Sequence, residues 1–596
     1  MRWASKRAMG AAVAGVAVAA GLVLPVASQE QPAPKSLLPP GFEAPPAPAA
    51  APAPLLPGAT PPAAEAPADA PPPLLAPDAG QDGEAPPADP YAAHAASLPP
   101  GAPIGILDAG SGGYGADAFR GSNGRFLAGL ANRITAPVAS RWVAISLGRA
   151  LLSQVPGPAA IGDGDWVAAR AGLLLRLGAV IPARRLIDAL PIERYTPATY
   201  RAAGQVSLAA ADLAGLCPIA ATGRALSDDP MWDLAWGMCA AMDGDDITAA
   251  DVIDTLRANR GTVPAFDLRL AQRVVVLAGG AGRAEGLNWA EAEGLTPYEY
   301  GVASAAGVAV PADRLAKLGP AHAGWVVRNA VVPAAARLAL LRQAAITGSL
   351  SAEELASAVA ALAPADANGG FPAGSRAGRL QAAFSGSAGD RARAIAAIAR
   401  DGDGDPYGGL LEAATAAAAL PVSDAAAAEA DVVIAALLAA GNPAAARRWA
   451  AVARDADSAV MLRAQALLAV GSGLALRAAD FKDWRRATNA NPRAQAMLLA
   501  ALAGLGQARG SDWDGLKADL LRPLANRWTA ALAAAAQRRA AGDVLMLAAT
   551  GLQGGWADVP PAHVEAIVAA LMAVGRPTEA RLFAAEAVTR AAQTTA

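Results

Sequence analysis

AALMAVGRPTEARLFAAEA, residues 569–587, decides the fold of this chain. A near copy, AALLAAGNPAAARRWAAVA, occupies residues 435–453, and each has a glycine, an alanine five residues on, an aromatic residue eight on and a second alanine twelve on. Those positions are Gly441, Ala446, Trp449 and Ala453 in one copy and Gly575, Ala580, Phe583 and Ala587 in the other. A third segment, with Gly178, Ala183, Leu186 and Leu190, keeps the glycine and the first alanine and has a bulky residue eight on and an apolar one twelve on. An alanine-rich run that a glycine stops, followed by small and bulky residues at helical spacing, reads as two helices joined by a tight turn. One such unit used repeatedly marks an array of helix pairs, and an array is usually a holding surface rather than a reaction chamber.

Composition agrees with an all-α body. Of 596 residues, 54% are hydrophobic and 17% charged, and much of the apolar share is alanine. Alanine has the lowest helix cost and buries little area, so the helices must approach closely. The net charge is near zero at −3, and arginine outnumbers lysine without forming a dense run. Nucleic acid is therefore not an expected partner. The adjacent pairs Arg184–Arg185 and Arg447–Arg448 fall inside the copied segment and read as solvated helix faces.

Residues 1–28 read as an export signal. Arg2, Lys6 and Arg7 precede an apolar run from Ala8 to Val26, and Val26-Ala27-Ser28 offers small residues for cleavage. The alternative is an uncleaved anchor, with the body outside the cytoplasm and membrane contact at this segment alone. Residues 29–120 form a Pro/Ala-rich linker with scattered acids and read as disordered. Extended at about 3.1 Å per residue, most of that linker spans on the order of 200 Å.

Short helices joined by Gly, Asp and Pro turns are expected from about Gly121 to Ala592, in regions 121–363 and 364–596 divided at the PADANGGFPAGSRAG segment from Pro364. Asp246 or Thr248, Ser351 and Thr578 stand where caps belong, and Gly261, Gly441 and Gly575 where helices stop. Cys217 and Cys239 are the only cysteines, and an exported chain with one pair suggests one disulfide between neighbouring helices, Cys217 ending the first before Pro218.

The segment at Gly575, with Glu579, Ala580, Phe583 and Ala587, resembles the tetratricopeptide family, which places small and aromatic packing residues at these positions. Three short segments carry the likeness, and no sustained 34-residue period is visible between them. The resemblance implies an α-solenoid of irregular helix-turn-helix pairs that binds proteins or peptides on one face.

For chemistry, the sharpest pattern is Asp401, Asp403, Asp405 and Glu412 between two helical stretches. Oxygen ligands at loop positions one, three, five and twelve are what a calcium loop needs, but position six is Pro406 where such a loop turns on glycine. No other cofactor is expected. Gly110-Ser-Gly-Gly-Tyr-Gly115 fits a dinucleotide loop literally but lacks the surrounding strand and helix, so it reads as the end of the linker, with Tyr114 and Phe119 pinning it to the first helices. His94, His322 and His563 are isolated, and HExxH, GxSxG, SxxK and GxxxxGK[ST] do not occur. Trp325, Trp484, Trp513, Trp528 and Trp556 lie near turns and are candidate partner anchors.

The expectation is an exported or periplasmic α-solenoid, non-catalytic, acting as scaffold or adaptor for proteins of a bacterial cell envelope. The alternative is a peptidoglycan- or polysaccharide-associated enzyme, or its helical accessory module, in contact with the cell wall.

Overall fold

The glycine of each copied segment sits where two helices meet. Gly178, Gly441 and Gly575 have φ of +79°, +80° and +75°, a left-handed conformation that glycine enters without a Cβ clash. The same two hydrogen bonds close the preceding helix in all three. The glycine amide donates to Leu175, Leu438 or Met572, and the next amide, of Ala179, Asn442 or Arg576, donates to Leu174, Leu437 or Leu571. Ala183, Ala446 and Ala580 are then fully buried, as are Leu186, Trp449 and Phe583. The alanine lets the helices approach and the bulky residue fills the space beside it.

The computed structural model describes residues 102–593 except 260, 280–285, 293, 317, 402–403 and 455–457. The expected export segment and most of the linker lie outside the described residues. Those described contain 28 α-helices, short 3₁₀ turns and no strand, only isolated bridges, and belong to one compact unit. No described helix is long and apolar enough to cross a membrane.

Left-handed stops recur beyond the three copies. One series falls at Gly178, Ala211, Gly244, Gly279 and Gly307, intervals of 33, 33, 35 and 28 residues, and another at Gly441, Gly473, Gly506, Arg539 and Gly575, intervals of 32, 33, 33 and 36, with further positive-φ residues at Gly261, Asn489, Gly510 and Gly554 between their members. The sequence hides this spacing because Ala211 and Arg539 occupy two of the positions, with φ of +55° and +58°.

Gly124–Arg133, Asp163–Arg176 and Pro197–Ala209 pack side by side near the beginning of this unit, and Pro406–Ala419, Ala430–Ala439, Ala459–Ser472 and Pro492–Gly504 do so later. The array then closes on itself. The last helix, Pro577–Gln593, lies against Ala430–Ala439, Ala459–Ser472 and Pro492–Gly504 and also packs on Arg141–Leu152, which in turn packs on Ala541–Gly551. Leu582 through Val588 are buried without a break, so this helix is interior.

Order begins before Gly121. Ile104, Tyr114 and Phe119 are buried. Tyr114 receives the Arg576 guanidinium 3.9 Å above its ring, and Phe119 meets Trp166 edge-on at 5.2 Å. The surface that holds this segment comes from both ends of the array, which no local reading supplies. Cys217 and Cys239 form a disulfide. Cys217 opens the helix Cys217–Leu226 instead of ending one, because proline is tolerated in a first turn where no intrahelical donor is needed. The cap before Asp246–Ala258 is Asp245, which accepts from Thr248 N; Ser351 caps Ala352–Leu362 in a reciprocal box with Glu354. Within the Pro364 segment the helix Arg376–Ala382 begins, and Arg376 shares Glu412 with Arg342, which precedes the segment.

Candidate functional site

The described members of the acidic pattern serve arginines. Asp401 accepts from Arg342 at 3.2 Å and Arg379 at 2.6 Å. Glu412, 1% exposed, pairs with Arg342 at 2.8 Å and Arg376 at 2.5 Å. Asp405 caps Pro406–Ala419 by accepting from Tyr407 N at 2.9 Å and pairs with Arg590. Asp403 lies outside the described residues. Pro406 is the first residue of its helix, a position suited to proline and not to a glycine-dependent loop turn. Among the described residues no group of three or more His, Cys, Asp or Glu is arranged to hold a metal. Instead, Arg342, Arg376, Arg379, Asp401 and Glu412 form an ion-pair network that fastens the middle of the array.

A second polar junction closes the ends. Glu586 accepts from Ser140 Oγ at 2.6 Å, Arg141 N at 2.9 Å and Trp142 N at 3.2 Å. A carboxylate from the last helix thus caps Arg141–Leu152, where amides and the helix dipole both favour an anion. Burial pushes the Glu586 pKa up, while Arg590 and the donors at Ser140, Arg141 and Trp142 act against that rise. Arg141 donates to the carbonyls of Ala345 and Leu350. Arg590 lies 4.3 Å over Tyr407, whose pKa burial raises. Arg170, also buried, ties the Ile104 and Leu151 carbonyls together, and burial pulls its pKa down to about 9. These groups hold structure, though Nε of Arg141, Arg170 and Arg590 is buried without a hydrogen-bond partner.

Open concavities among the described residues include two between packed helices and a third, about 510 Å³, beside Pro137, Gln343, Asp405, Trp556 and Arg590. The larger, about 980 Å³, lies among Ala450–Arg454, Ala459–Ser472 and Ala478–Ala487. Along one helix of its wall Arg477 pairs with Asp480 at 2.7 Å and Arg486 with Asp483, and Arg454 lines it as well. The other, about 590 Å³, lies among Gly124–Arg133, Asp163–Arg176 and Pro197–Ala209. Small residues including Gly129, Ala169, Gly172 and Ala202 line it together with Arg125, Arg176 and Arg201. Arg125 and Arg201 are exposed, and among the described residues neither has a carboxylate partner. Arg176 donates to Ile134 O at 2.9 Å and Ala131 O at 2.8 Å, and burial lowers its pKa.

A recess of about 270 Å³ shares Gly172, Arg176 and Gln205 with this groove and adds Pro137, Pro297, Pro320, His322 and Trp325. His322 meets Trp325 edge-on at 4.4 Å. Burial holds the His322 pKa below its ordinary value, so the ring is neutral at physiological pH. Trp325, Trp484, Trp513 and Trp556 are buried, and Trp528 is half-buried, its indole donating to Leu547 O at 2.8 Å. The tryptophans near turns are thus core residues whose apolar bodies are taken up by neighbouring helices. Asp267 is the most perturbed carboxylate with a defined value, pushed up to about 7 by burial first and Glu299 second, but neither open groove includes it.

The arginine-lined groove was not legible as a site. Arg125, Gly129 and Asn132 share one face at helical spacing, as do Ala198, Arg201 and Gln205. Each set alone looks like an ordinary solvated face, and their convergence depends on how the helices pack. No protein-family model matches this chain, and no curated protein or solved structure matches it.

Proposed function

We propose that this chain is a non-catalytic scaffold or adaptor, exported to a bacterial cell envelope, that binds other proteins through the part of its helical array it leaves uncovered. The observation that carries the reading is the contrast in cover. The chain's own last helix packs on the later row of helices, whose Ala459–Ser472 still borders the larger groove, while Gly124–Arg133, Asp163–Arg176 and Pro197–Ala209 carry no such helix and keep a groove with arginines that lack a carboxylate partner. The resemblance of the copied segments to the tetratricopeptide family supports protein binding, and the disulfide supports an oxidising compartment.

The test is site-specific photocrosslinking in cells, with the reactive residue placed in turn at Gly129, in the arginine-lined groove, and at Ala487, in the larger one. The reading expects a discrete envelope protein captured from at least one position. Capture of wall fragments alone, or turnover of wall polymer by the purified chain, would replace it with the wall-associated enzyme or accessory module.

A further inference from the structure

The geometry points to an acidic peptide segment, bound in extended form, as the occupant of the Arg125–Arg176–Arg201 groove, with an apolar side chain seated in the adjoining recess. This rests on the scaffold reading and names its ligand. Three guanidinium groups line the groove against one carboxylate, Asp165, which already accepts from Thr196 Oγ1 at 2.7 Å. The imbalance is local. On adjoining helices and turns Arg184 pairs with Asp188 and Asp212, and Arg194 with Asp163. An anion is what this groove lacks.

The shape selects the kind of anion. A Cβ added to Gly129 would meet nothing within 4 Å, and one added to Gly172 would meet only Arg176 Nη1 at 3.6 Å. The floor is therefore unobstructed at these two positions, with Arg176 reaching over it. Asn132 and Gln205 line the same groove, and carboxamides both donate and accept, as a peptide backbone requires. Guanidinium forks match carboxylates in bidentate geometry. The lining of the groove contains no aromatic ring, so it offers no stacking platform for a sugar ring, and this favours a peptide over an acidic polysaccharide. Pro137, Leu175, Pro297, Pro320, Trp325 and the neutral His322 make the recess fit for an uncharged side chain.

Fluorescence anisotropy with the purified full chain tests this. The probe is a short fluorescein-labelled peptide of alternating glutamate and alanine with one central leucine, beside the same peptide with glutamine for glutamate and a labelled polyglucuronate. The glutamate peptide is expected to bind saturably and to weaken with added salt. The glutamine peptide, and the glutamate peptide on the Arg125→Glu/Arg201→Glu variant, are each expected to bind about tenfold more weakly or worse. Both arginines are exposed, so that variant keeps the wild-type unfolding midpoint, and Gly172→Leu, which fills the floor, gives an independent loss. Absence of saturable binding, equal binding of the glutamine peptide, full binding by the double variant, or binding of polyglucuronate alone would overturn the assignment. A protein captured only from Ala487, with no glutamate-peptide binding, defeats this inference and leaves the scaffold reading. Capture of nothing from either groove defeats the scaffold reading.

Discussion

The row Ala430–Ala439, Ala459–Ser472 and Pro492–Gly504 is covered by the chain's own last helix, whereas the row Gly124–Arg133, Asp163–Arg176 and Pro197–Ala209 is left open. In the covered row, Ala435, Ala466, Leu467 and Ala494 leave a cavity of about 480 Å³ beside Val588, where Asp431 is matched by Arg463 at 2.6 Å, and Ala459–Ser472 also borders the groove of about 980 Å³. In the open row the corresponding surface is glycine, alanine and unmatched arginine. One architecture thus yields core in one place and a groove in another. Side-chain volume and charge pairing decide which, because apolar area is stabilised by cover while an exposed guanidinium is best left to water or to an anion.

The largest expected effect lies at the covered end. Glu586→Ala leaves Ser140 Oγ, Arg141 N and Trp142 N without their buried acceptor and is expected to cost about 3–5 kcal/mol, seen as a lowered urea midpoint. Arg125→Ala in the open row is expected to shift stability by less than about 0.5 kcal/mol. A comparable loss from both would erase the contrast. Opening the Cys217–Cys239 bridge, which spans 22 residues in sequence, is expected to cost about 3 kcal/mol in chemical denaturation.

Asp267 gives a pH signature. Its pKa is raised to about 7 from the ordinary 3.8, so the folded protein bears the cost of ionising it in full only above about pH 7. That cost falls as the pH drops from 7 toward 3.8 and is gone below. Asp267→Asn is expected to stabilise by about 2 kcal/mol at pH 8 and by progressively less down to pH 4, read from unfolding midpoints across that range. A gain independent of pH would show that burial of charge is not the cause. A smaller gain sharpens the repeated spacing: Arg539→Gly and Ala211→Gly relieve left-handed strain and are each expected to add about 1 kcal/mol. A loss at either site would mean that its side chain does more than tolerate the turn.

The helix pairs were legible because Gly441 and Gly575 carry their own explanation: a left-handed stop with alanine and an aromatic residue at fixed offsets. The recurrence at Ala211 and Arg539 was not, since neither residue type signals positive φ. Asp401, Asp405 and Glu412 had ligand-like spacing, yet their partners Arg342, Arg376, Arg379 and Arg590 lie 22 to 185 residues away and leave no local trace. Closure was hidden for the same reason. Glu586 reads as a surface residue of the last copy until Arg141–Leu152, 445 residues distant, is placed against it. The open groove is likewise a product of packing, since its three arginines come from three helices.

Hydrogen exchange of the full chain, resolved by peptide, tests closure most directly. If the last helix is core, residues 577–593 exchange as slowly as 141–152, and both are released together in the slowest, global opening. Fast exchange of 577–593 with 430–439, 459–472 and 492–504 still protected would contradict this. The last helix would then be a displaceable occupant, and the face beneath it the binding surface.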